Sequence, residues 1–257
     1  MILLTAAQNL SAQNLLTTVA DDEWIMGHQG AEWLAETPDL EEDLALSSIS
    51  QDEMGQAQLL YRLIEELGGP SPDYQIYSRP VDQWRAAGFV TLPRHDWAEW
   101  VVRRYLYETF DALRREALRS IPYPALASAL ESIQREEVYH WQHVQTQMQT
   151  LALGGRESRD HLVRALMADW AAVSSLFVWG ADDEDWQLWN APSLAPTALY
   201  ESFQIVVGKH LAAWNIDWPG GLNPPSLSGR DPRHMPELNK ICQEMRAVRQ
   251  LAPESSW

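Results

Sequence analysis

The stretch Arg135-Glu136-Glu137-Val138-Tyr139-His140 lies inside a long run of helical periodicity and contains the pair of residues that indicates the fold. Glu137 and His140 are three positions apart, so both side chains project from the same face of an α-helix. In a four-helix bundle, a Glu-x-x-His pair from each of two helices and one carboxylate from each of the other two form a site for two metal ions. The stretch therefore predicts three further helices that place carboxylates toward the same interior.

The rest of the chain contains the helices that such a bundle needs. Apolar residues recur at steps of three and four, strand-like alternation does not persist, and the predicted fold class is all-α. Long helices are predicted over residues 7–34, 39–67, 95–120 and 124–153, and shorter ones over 157–179, 196–214 and 236–251. We expect a single domain over 1–257, with a core bundle over about 7–153 and a C-terminal helical extension over about 157–257.

Three segments interrupt the helical pattern. Residues 69–95 are rich in proline and predict an irregular connection with one short helix, and residues 219–236 are too rich in Pro and Gly for regular structure. Residues 180–196 are acidic and Trp-rich and predict a loop. The chain has thirteen Trp, and because large aromatic side chains anchor interfaces as well as cores, this number favours a protein that a partner covers.

Composition excludes several classes of partner. Lys and Arg total 19 against 36 Asp and Glu, and a formal charge of -17 repels phosphate backbones and anionic lipid. We therefore expect no nucleic acid and no membrane among the partners, and no apolar run approaches the roughly 20 residues of a membrane span. The single Cys242 excludes an internal disulfide and a cysteine-only metal site, and the N-terminus lacks the features of a secretory signal. These observations predict a soluble, cytoplasmic protein.

Each of the four long helices offers at least one carboxylate for the predicted interior. In the second helix Gln56 follows Glu53 at the same three-residue spacing, so a neutral amide stands where the second His is expected. Carboxylates neutralise and bridge divalent ions and imidazole fixes their geometry, so such a mixture is typical of a two-metal site that binds iron or another divalent metal. The candidate ligands are Glu23, Glu53, Glu108, Glu137 and His140, with Gln56 in place of the sixth.

Each candidate ligand also has an ordinary structural interpretation. Glu23 is compatible with a surface position, and Glu53 with an acidic helix face that it shares with the preceding Asp. Glu108 lies at helical spacing from Arg104 and is a candidate for an ion pair with it. His140 is compatible with a core histidine that bonds to Glu136 or to a backbone carbonyl. The spacing by itself leaves both interpretations open.

Several short segments of the chain form a recognisable set. They are Ala20-Asp21-Asp22, Gly27-His28, Ala31-Glu32-Trp33, Pro38 to Leu46, Gly55-Gln56-Ala57-Gln58, Glu136 with Tyr139-His140, and Glu244-Met245-Arg246 with Pro253 and Trp257. This set resembles a known family, the ferritin-like subunits of the multicomponent ring 1,2-phenylacetyl-CoA epoxidase, and among these the structural C-type subunit in particular. The resemblance spans nearly the whole chain, and the tail is fairly specific, because C-type subunits end in a similar Glu-Met, Pro and Trp arrangement.

The resemblance implies a ferritin-like four-helix bundle and a division of labour between subunits. In the family, an A-type subunit carries the di-iron centre and oxygenates the aromatic ring, while the C-type subunit has largely lost its ligands and stabilises the catalytic subunit. Glu23, Glu53, Glu108 and Glu137 match A-type ligand positions, and Gln56 keeps the C-type residue at the second His position.

Two hypotheses follow. In the first, the chain is the non-catalytic partner of a catalytic A-type subunit in a phenylacetyl-CoA ring epoxidase, assembled from paired heterodimers, and self-association is a further expectation. In the second, it is itself a metal-binding ferritin-like oxygenase subunit that uses the glutamates and His140. An iron-storage protein is a weaker alternative, because the resemblance lies elsewhere.

Overall fold

The structure is a computed structural model, which describes residues 4–180, 185–222, 230 and 236–251. These residues contain α-helices and short 3₁₀ and π turns and no strand, so the predicted all-α class is confirmed. The α-helices are α1 (Ala6–Ala31), α2 (Leu40–Glu66), α3 (Gly88–Thr91), α4 (Trp97–Leu118), α5 (Pro124–Leu153), α6 (Arg156–Val173), α7 (Pro196–Ala213) and α8 (Pro236–Leu251).

The long helices begin where local chemistry provides a cap. Asp39 is the N-cap of α2, where its side chain accepts a hydrogen bond from the backbone N–H of Glu42 at 2.9 Å. Asp96 caps α4 in the same way through the N–H of Glu99 at 2.8 Å. Pro124 and Pro196 occupy the first positions of α5 and α7, where a missing N–H costs no helical hydrogen bond.

The four predicted long helices correspond to α1, α2, α4 and α5, and they enclose the interior of the bundle. Helices α1 and α2 pack closely because α1 carries Gly27 at their contact, where an added Cβ would lie 2.8 Å from the backbone oxygen of Ser50. Helix α4 also packs against α6 and α7, so the C-terminal helices cover the side of the bundle opposite α2. The division into one domain with a C-terminal extension stays a prediction.

The sequence placed two helix ends too late. The first helix ends at Ala31 rather than at residue 34, and α6 ends at Val173 rather than at residue 179. Beyond Val173 the chain forms a 3₁₀ turn over Ser174–Phe177, and the Ser174 hydroxyl donates to the carbonyl of Ala171 at 2.9 Å. Serine hydroxyls offer the backbone such local alternatives, which apolar periodicity does not reveal.

The predicted irregular segments are mostly short turns. Residues 69–95 hold a π turn over Tyr74–Ser78, a 3₁₀ turn over Val81–Gln83 and the predicted short helix, α3. The described part of the acidic Trp-rich segment forms 3₁₀ turns over Asp185–Trp189 and Pro192–Leu194, and residues 181–184 lie outside the described residues. Most of the predicted segment 219–236 also lies outside them.

The tryptophans are used mainly inside this chain. Seven of them are buried: Trp24, Trp84, Trp100, Trp170, Trp179, Trp189 and Trp214. Trp189, from the acidic Trp-rich segment, donates its indole N–H to the hydroxyl of Ser11 at 2.9 Å. Many of the Trp residues therefore belong to the core of this protein, and a partner surface that uses the others stays a prediction. No helix among the described residues is long and apolar enough to cross a membrane.

A candidate metal centre filled by arginine

The bundle brings all five candidate ligands together in its interior. Glu23 lies on α1, Glu53 on α2, Glu108 on α4, and both Glu137 and His140 on α5. None of these side chains is more than 3% exposed. The surface position considered for Glu23 is therefore wrong. We call these five residues, with Gln56, Arg104, Asp111, Arg114 and Arg115, the central cluster.

Arg104 lies in the middle of the candidate ligands. Its Nη2 atom contacts Glu53 Oε1, lies 2.5 Å from Glu108 Oε1, and is 3.4 Å from His140 Nδ1. The ion pair between Arg104 and Glu108 that helical spacing suggested is therefore present, and Glu53 shares the same guanidinium. These carboxylates raise the pKa of Arg104 in spite of its burial, so the group is a permanent cation.

Two further arginines of α4 extend this arrangement. Arg115 Nη1 lies 2.8 Å from Glu137 Oε2 and also contacts Asp111. Arg114, which is fully buried, contacts Asp111 as well and lies 3.3 Å from Glu23 Oε1. Each of the four glutamates of the candidate metal centre therefore has an arginine within ion-pair distance.

Burial acts on three of the glutamates, and their pKa values shift in different directions. Burial and the adjacent Glu53 raise the pKa of Glu23 well above its ordinary value, more than Arg114 lowers it. Burial also raises the pKa of Glu108 to about 7, although Arg104 acts in the opposite direction. Burial opposes ionisation of Glu137, but Arg115 and His140 overcome it and hold the pKa of Glu137 well below its usual range.

This arrangement balances charge without a metal ion. Arg104, Arg114, Arg115 and the His140 imidazolium place four positive charges among the four glutamates and Asp111. Two divalent ions would bring the same four charges to a site of four carboxylates. The interior therefore meets, with its own side chains, the requirement that buried charges be paired.

His140 connects the central cluster to its partly exposed rim. Its Nδ1 lies 3.0 Å from Glu137 Oε1 and 3.4 Å from Glu53 Oε1, and its Nε2 lies 3.2 Å from Asp52 Oδ2. Burial lowers the pKa of an imidazole, but the hydrogen bonds to Glu137 and Glu53 prevail and raise the pKa of His140 to about 11. The ring is therefore an imidazolium at neutral pH. One alternative interpretation had His140 bonded to Glu136, and the structure instead places its Nδ1 beside Glu137.

Gln56 behaves as a donor to the carboxylates. Its Nε2 donates to Glu137 Oε1 at 2.9 Å and to Glu136 Oε2 at 3.1 Å. An imidazole in a metal site instead offers a lone pair to the ion. The residue at the second His position thus helps Arg115 to hold Glu137.

The donor atoms can be compared with the needs of a metal site. One atom each of Glu53, Glu137 and His140 lie within 4.8 Å of one another, and this buried group is compatible with a metal site. The complete two-metal set does not fit, because Arg104 and Arg115 hold the carboxylate oxygens and Gln56 replaces the second imidazole. Assignment of all five candidates as metal ligands stays a prediction.

The sequence contains a signal for the arginines as well. Arg104, Glu108, Asp111 and Arg115 follow at steps of four, three and four along an otherwise largely apolar helix. Such spacing places all four side chains on one face. Only the first pair was singled out from the sequence, and Asp111, Arg114 and Arg115 were missed.

Comparison with known proteins agrees with the resemblance stated above. The model of a family described as phenylacetic acid catabolic protein matches residues 4–257. The chain is also 24% identical over 251 residues to the C-type subunit of 1,2-phenylacetyl-CoA epoxidase from Escherichia coli (strain K12). That alignment covers 93% of this chain and 96% of the relative.

Proposed function

The chain belongs to the phenylacetic acid catabolic protein family, an all-helical, ferritin-like family, and we propose that it is the structural partner subunit of a multicomponent phenylacetyl-CoA ring epoxidase. In this proposal it binds a catalytic A-type subunit and stabilises it without performing chemistry. The nearly full-length alignment with a relative named as the C-type subunit of such an epoxidase supports the assignment.

The observation that carries the proposal is the position of the arginines. Arg104 contacts Glu53 and Glu108, and Arg115 lies 2.8 Å from Glu137, so the carboxylates of the candidate centre are already neutralised. An oxygen-activating two-metal site needs those oxygens for its ions and vacant positions for oxygen. Because Arg104 and Arg115 occupy the carboxylates, the structure supports a role in which the helical bundle serves assembly and performs no redox chemistry.

The proposal includes an assembly and a location. The partner is the A-type catalytic subunit, in a complex of paired heterodimers, and self-association of this chain is part of that arrangement. The acidic composition supports the exclusion of nucleic acid and membrane surfaces as partners. A chain with one cysteine, Cys242, needs no oxidising compartment, which supports a cytoplasmic location.

Co-expression with an A-type subunit tests the partner role. We expect the two chains to co-elute in size-exclusion chromatography, and we expect light scattering to give a mass that fits paired heterodimers. The chain expressed alone is the control. A chain that stays monomeric in the presence of the catalytic subunit would reject the proposal.

A second candidate function is that of a metal-binding oxygenase subunit. The observation that favours it is the spacing of Glu53, Glu137 and His140, whose donor atoms lie within 4.8 Å of one another. A single ion of iron or another divalent metal would use these three residues, and Arg104 would have to leave Glu53 to admit it. Such an ion would supply Lewis-acid or redox chemistry to the subunit.

Metal analysis and His140→Gln separate the two functions. If the role is structural, Glu137→Ala should remove less than one equivalent of bound iron, manganese or zinc. Epoxidation by the complex should be unchanged when His140 is replaced. The metal-binding alternative predicts a full equivalent that Glu137→Ala removes, and loss of turnover in His140→Gln. In Gln56→His, a gain of metal would identify the cluster as a decayed two-metal centre.

A further inference from the structure

Three side chains that the central cluster does not use meet at the junction of α1 and α8. His28 and Glu32 lie at the end of α1, and Glu244 lies on α8, near the C-terminus. One ligand atom from each of the three lies within 4.8 Å of the others. We call these three residues the α1–α8 site.

In the α1–α8 site the imidazole of His28 lies near a carboxylate but forms no hydrogen bond with it. His28 and Glu32 are one helical turn apart, with His28 Nε2 at 3.6 Å from Glu32 Oε1, beyond hydrogen-bond distance. That nitrogen is buried and has no hydrogen-bond partner among the described residues. A buried ring nitrogen without a partner is uncommon, and here it faces carboxylate oxygens.

The part of α8 that carries Glu244 is held in place by contacts that do not involve His28 or Glu32. Met245, next to Glu244, receives a hydrogen bond at its sulfur from the indole N–H of Trp24 on α1, at 3.0 Å. Arg246 donates to the backbone carbonyl of Arg79. Both contacts hold this part of α8 against the bundle, so the backbone at Glu244 lies beside the end of α1 without a bound ligand.

The charges around the site leave room for a cation. Partial burial, as the larger cause, and the Glu244 carboxylate raise the pKa of Glu32, because two carboxylates share one small space. Lys240 Nζ is 3.7 Å from Glu244 Oε1, but the side chain is 79% exposed, and exposed pairs of this kind are weak. Arg94 also acts on Glu32 from a distance. Neither cation contacts His28.

We propose that His28, Glu32 and Glu244 bind a divalent transition-metal ion of the zinc class and so fasten α8 to α1. One imidazole nitrogen and two carboxylate oxygens, completed by water, make a set that Zn²⁺ accepts. Mg²⁺ prefers oxygen ligands in octahedral geometry and is not expected to compete. The site is independent of the proposed function and of the central cluster.

Zinc titration of the chelator-treated full chain tests the proposal by calorimetry. We expect wild type to bind one Zn²⁺ at this site, and His28→Gln and Glu244→Gln to weaken that binding by at least about tenfold. His161→Gln is the matched control, because His161 Nδ1 lies 3.3 Å from Asp96 Oδ2 in a comparable surface pair without a third ligand. It should bind Zn²⁺ like wild type.

Thermal unfolding gives a second readout that does not depend on heat of binding. Added Zn²⁺ should raise the unfolding midpoint of wild type, His161→Gln and Glu137→Gln, and should raise that of Glu244→Gln clearly less at the same Zn²⁺ concentration. Added Mg²⁺ should change none of them. The proposal is overturned if wild type binds no Zn²⁺, if His28→Gln and Glu244→Gln both retain it, or if Glu137→Gln alone removes it, since the last result places the ion in the central cluster.

Discussion

Helix α4 separates two interiors that are built from different materials. On the side of α1, α2 and α5 it presents arginines and carboxylates, such as Arg104 and Glu108. On the side of α6 and α7 it presents aromatic rings, where Phe110 meets Phe177 edge to face at 5.3 Å. Phe177 in turn packs against Phe203 at 5.3 Å. One helix therefore borders a charged interior and an apolar one.

The difference between the two interiors lies in how their members depend on one another. Each aromatic contact contributes its own buried area and about 0.5–1.5 kcal/mol of pair energy, and the loss of one ring leaves no buried charge behind. In the charged interior Arg104 pairs with two glutamates, and the loss of one group removes the main opposite charge of others that stay buried. Replacement of such a whole network by apolar residues is often neutral, while removal of one member is costly. The central cluster thus restricts single substitutions more than it adds stability.

The largest effect is expected for Arg104→Met. This change keeps most of the side-chain volume but leaves Glu53 and Glu108 without their shared cation, which we expect to cost about 3–5 kcal/mol of unfolding free energy. Denaturant unfolding measures the loss. Arg119→Met is the control, because Arg119 forms only an exposed pair with Glu116 at 3.1 Å and should change stability by no more than about 0.5 kcal/mol.

The double variant Arg104→Met/Glu53→Gln shows whether the loss comes from uncompensated charge. Removing the charge of Glu53 as well should recover at least about 1 kcal/mol relative to the sum of the two single losses. Losses that simply add would mean that Arg104 acts through packing, and the contrast between the two interiors would disappear.

A pH effect of intermediate size is expected from His140. Its pKa is raised to about 11 in the folded chain, so its stabilisation is complete below the unfolded pKa of about 6.5 and is lost as pH rises through about 11. Between about pH 7.5 and 9, wild type should lose about 1.4 kcal/mol per pH unit more than His140→Gln does. Unfolding curves at several pH values measure the two slopes. Parallel slopes would show that the ring is neutral in the folded protein.

A smaller effect is expected on the aromatic side, for Phe177→Leu. The ring packs against Phe110, Tyr200 and Phe203, and a swap of similar volume should cost about 1 kcal/mol. Because Phe177 shares no partner with Arg104, the loss should be the same within about 0.5 kcal/mol in the Arg104→Met background. A clear interaction between the two positions would show that α4 transmits strain between its faces.

The two interiors also differ in how far the sequence predicts them. Periodicity predicts the four long helices, and the spacing of Glu137 and His140 predicts carboxylates from all four in one interior, where the structure places them. The cations were harder to predict, because a carboxylate in a sequence pattern is equally compatible with a metal ion and with an arginine on a neighbouring helix. Arg115 lies on α4 and Glu137 on α5, so their contact depends on how these two helices pack against each other.

Contacts between distant segments lie beyond such patterns for the same reason. Glu244 meets His28 because α8 returns to the end of α1, and no local signal fixes where a C-terminal helix docks. The number of Trp has the same limit, since composition does not separate a buried indole such as Trp189 from one at an interface. In both cases the sequence identifies the residue type, but the neighbours of each residue depend on how the helices pack.

The smallest effect is expected at the rim of the charged interior, for Asp52→Asn. Asp52 is 32% exposed and lies 3.2 Å from His140 Nε2, so water already screens the pair and its loss should cost less than about 1 kcal/mol. The pKa of His140 should remain raised, because Glu137 and Glu53 hold Nδ1. NMR titration of the imidazole in Asp52→Asn and in Glu137→Gln compares the two sides of the ring. If Asp52→Asn lowers the pKa of His140 more than Glu137→Gln does, the charge is held from the surface, and the central cluster then lacks the interdependence that sets it apart from the aromatic side.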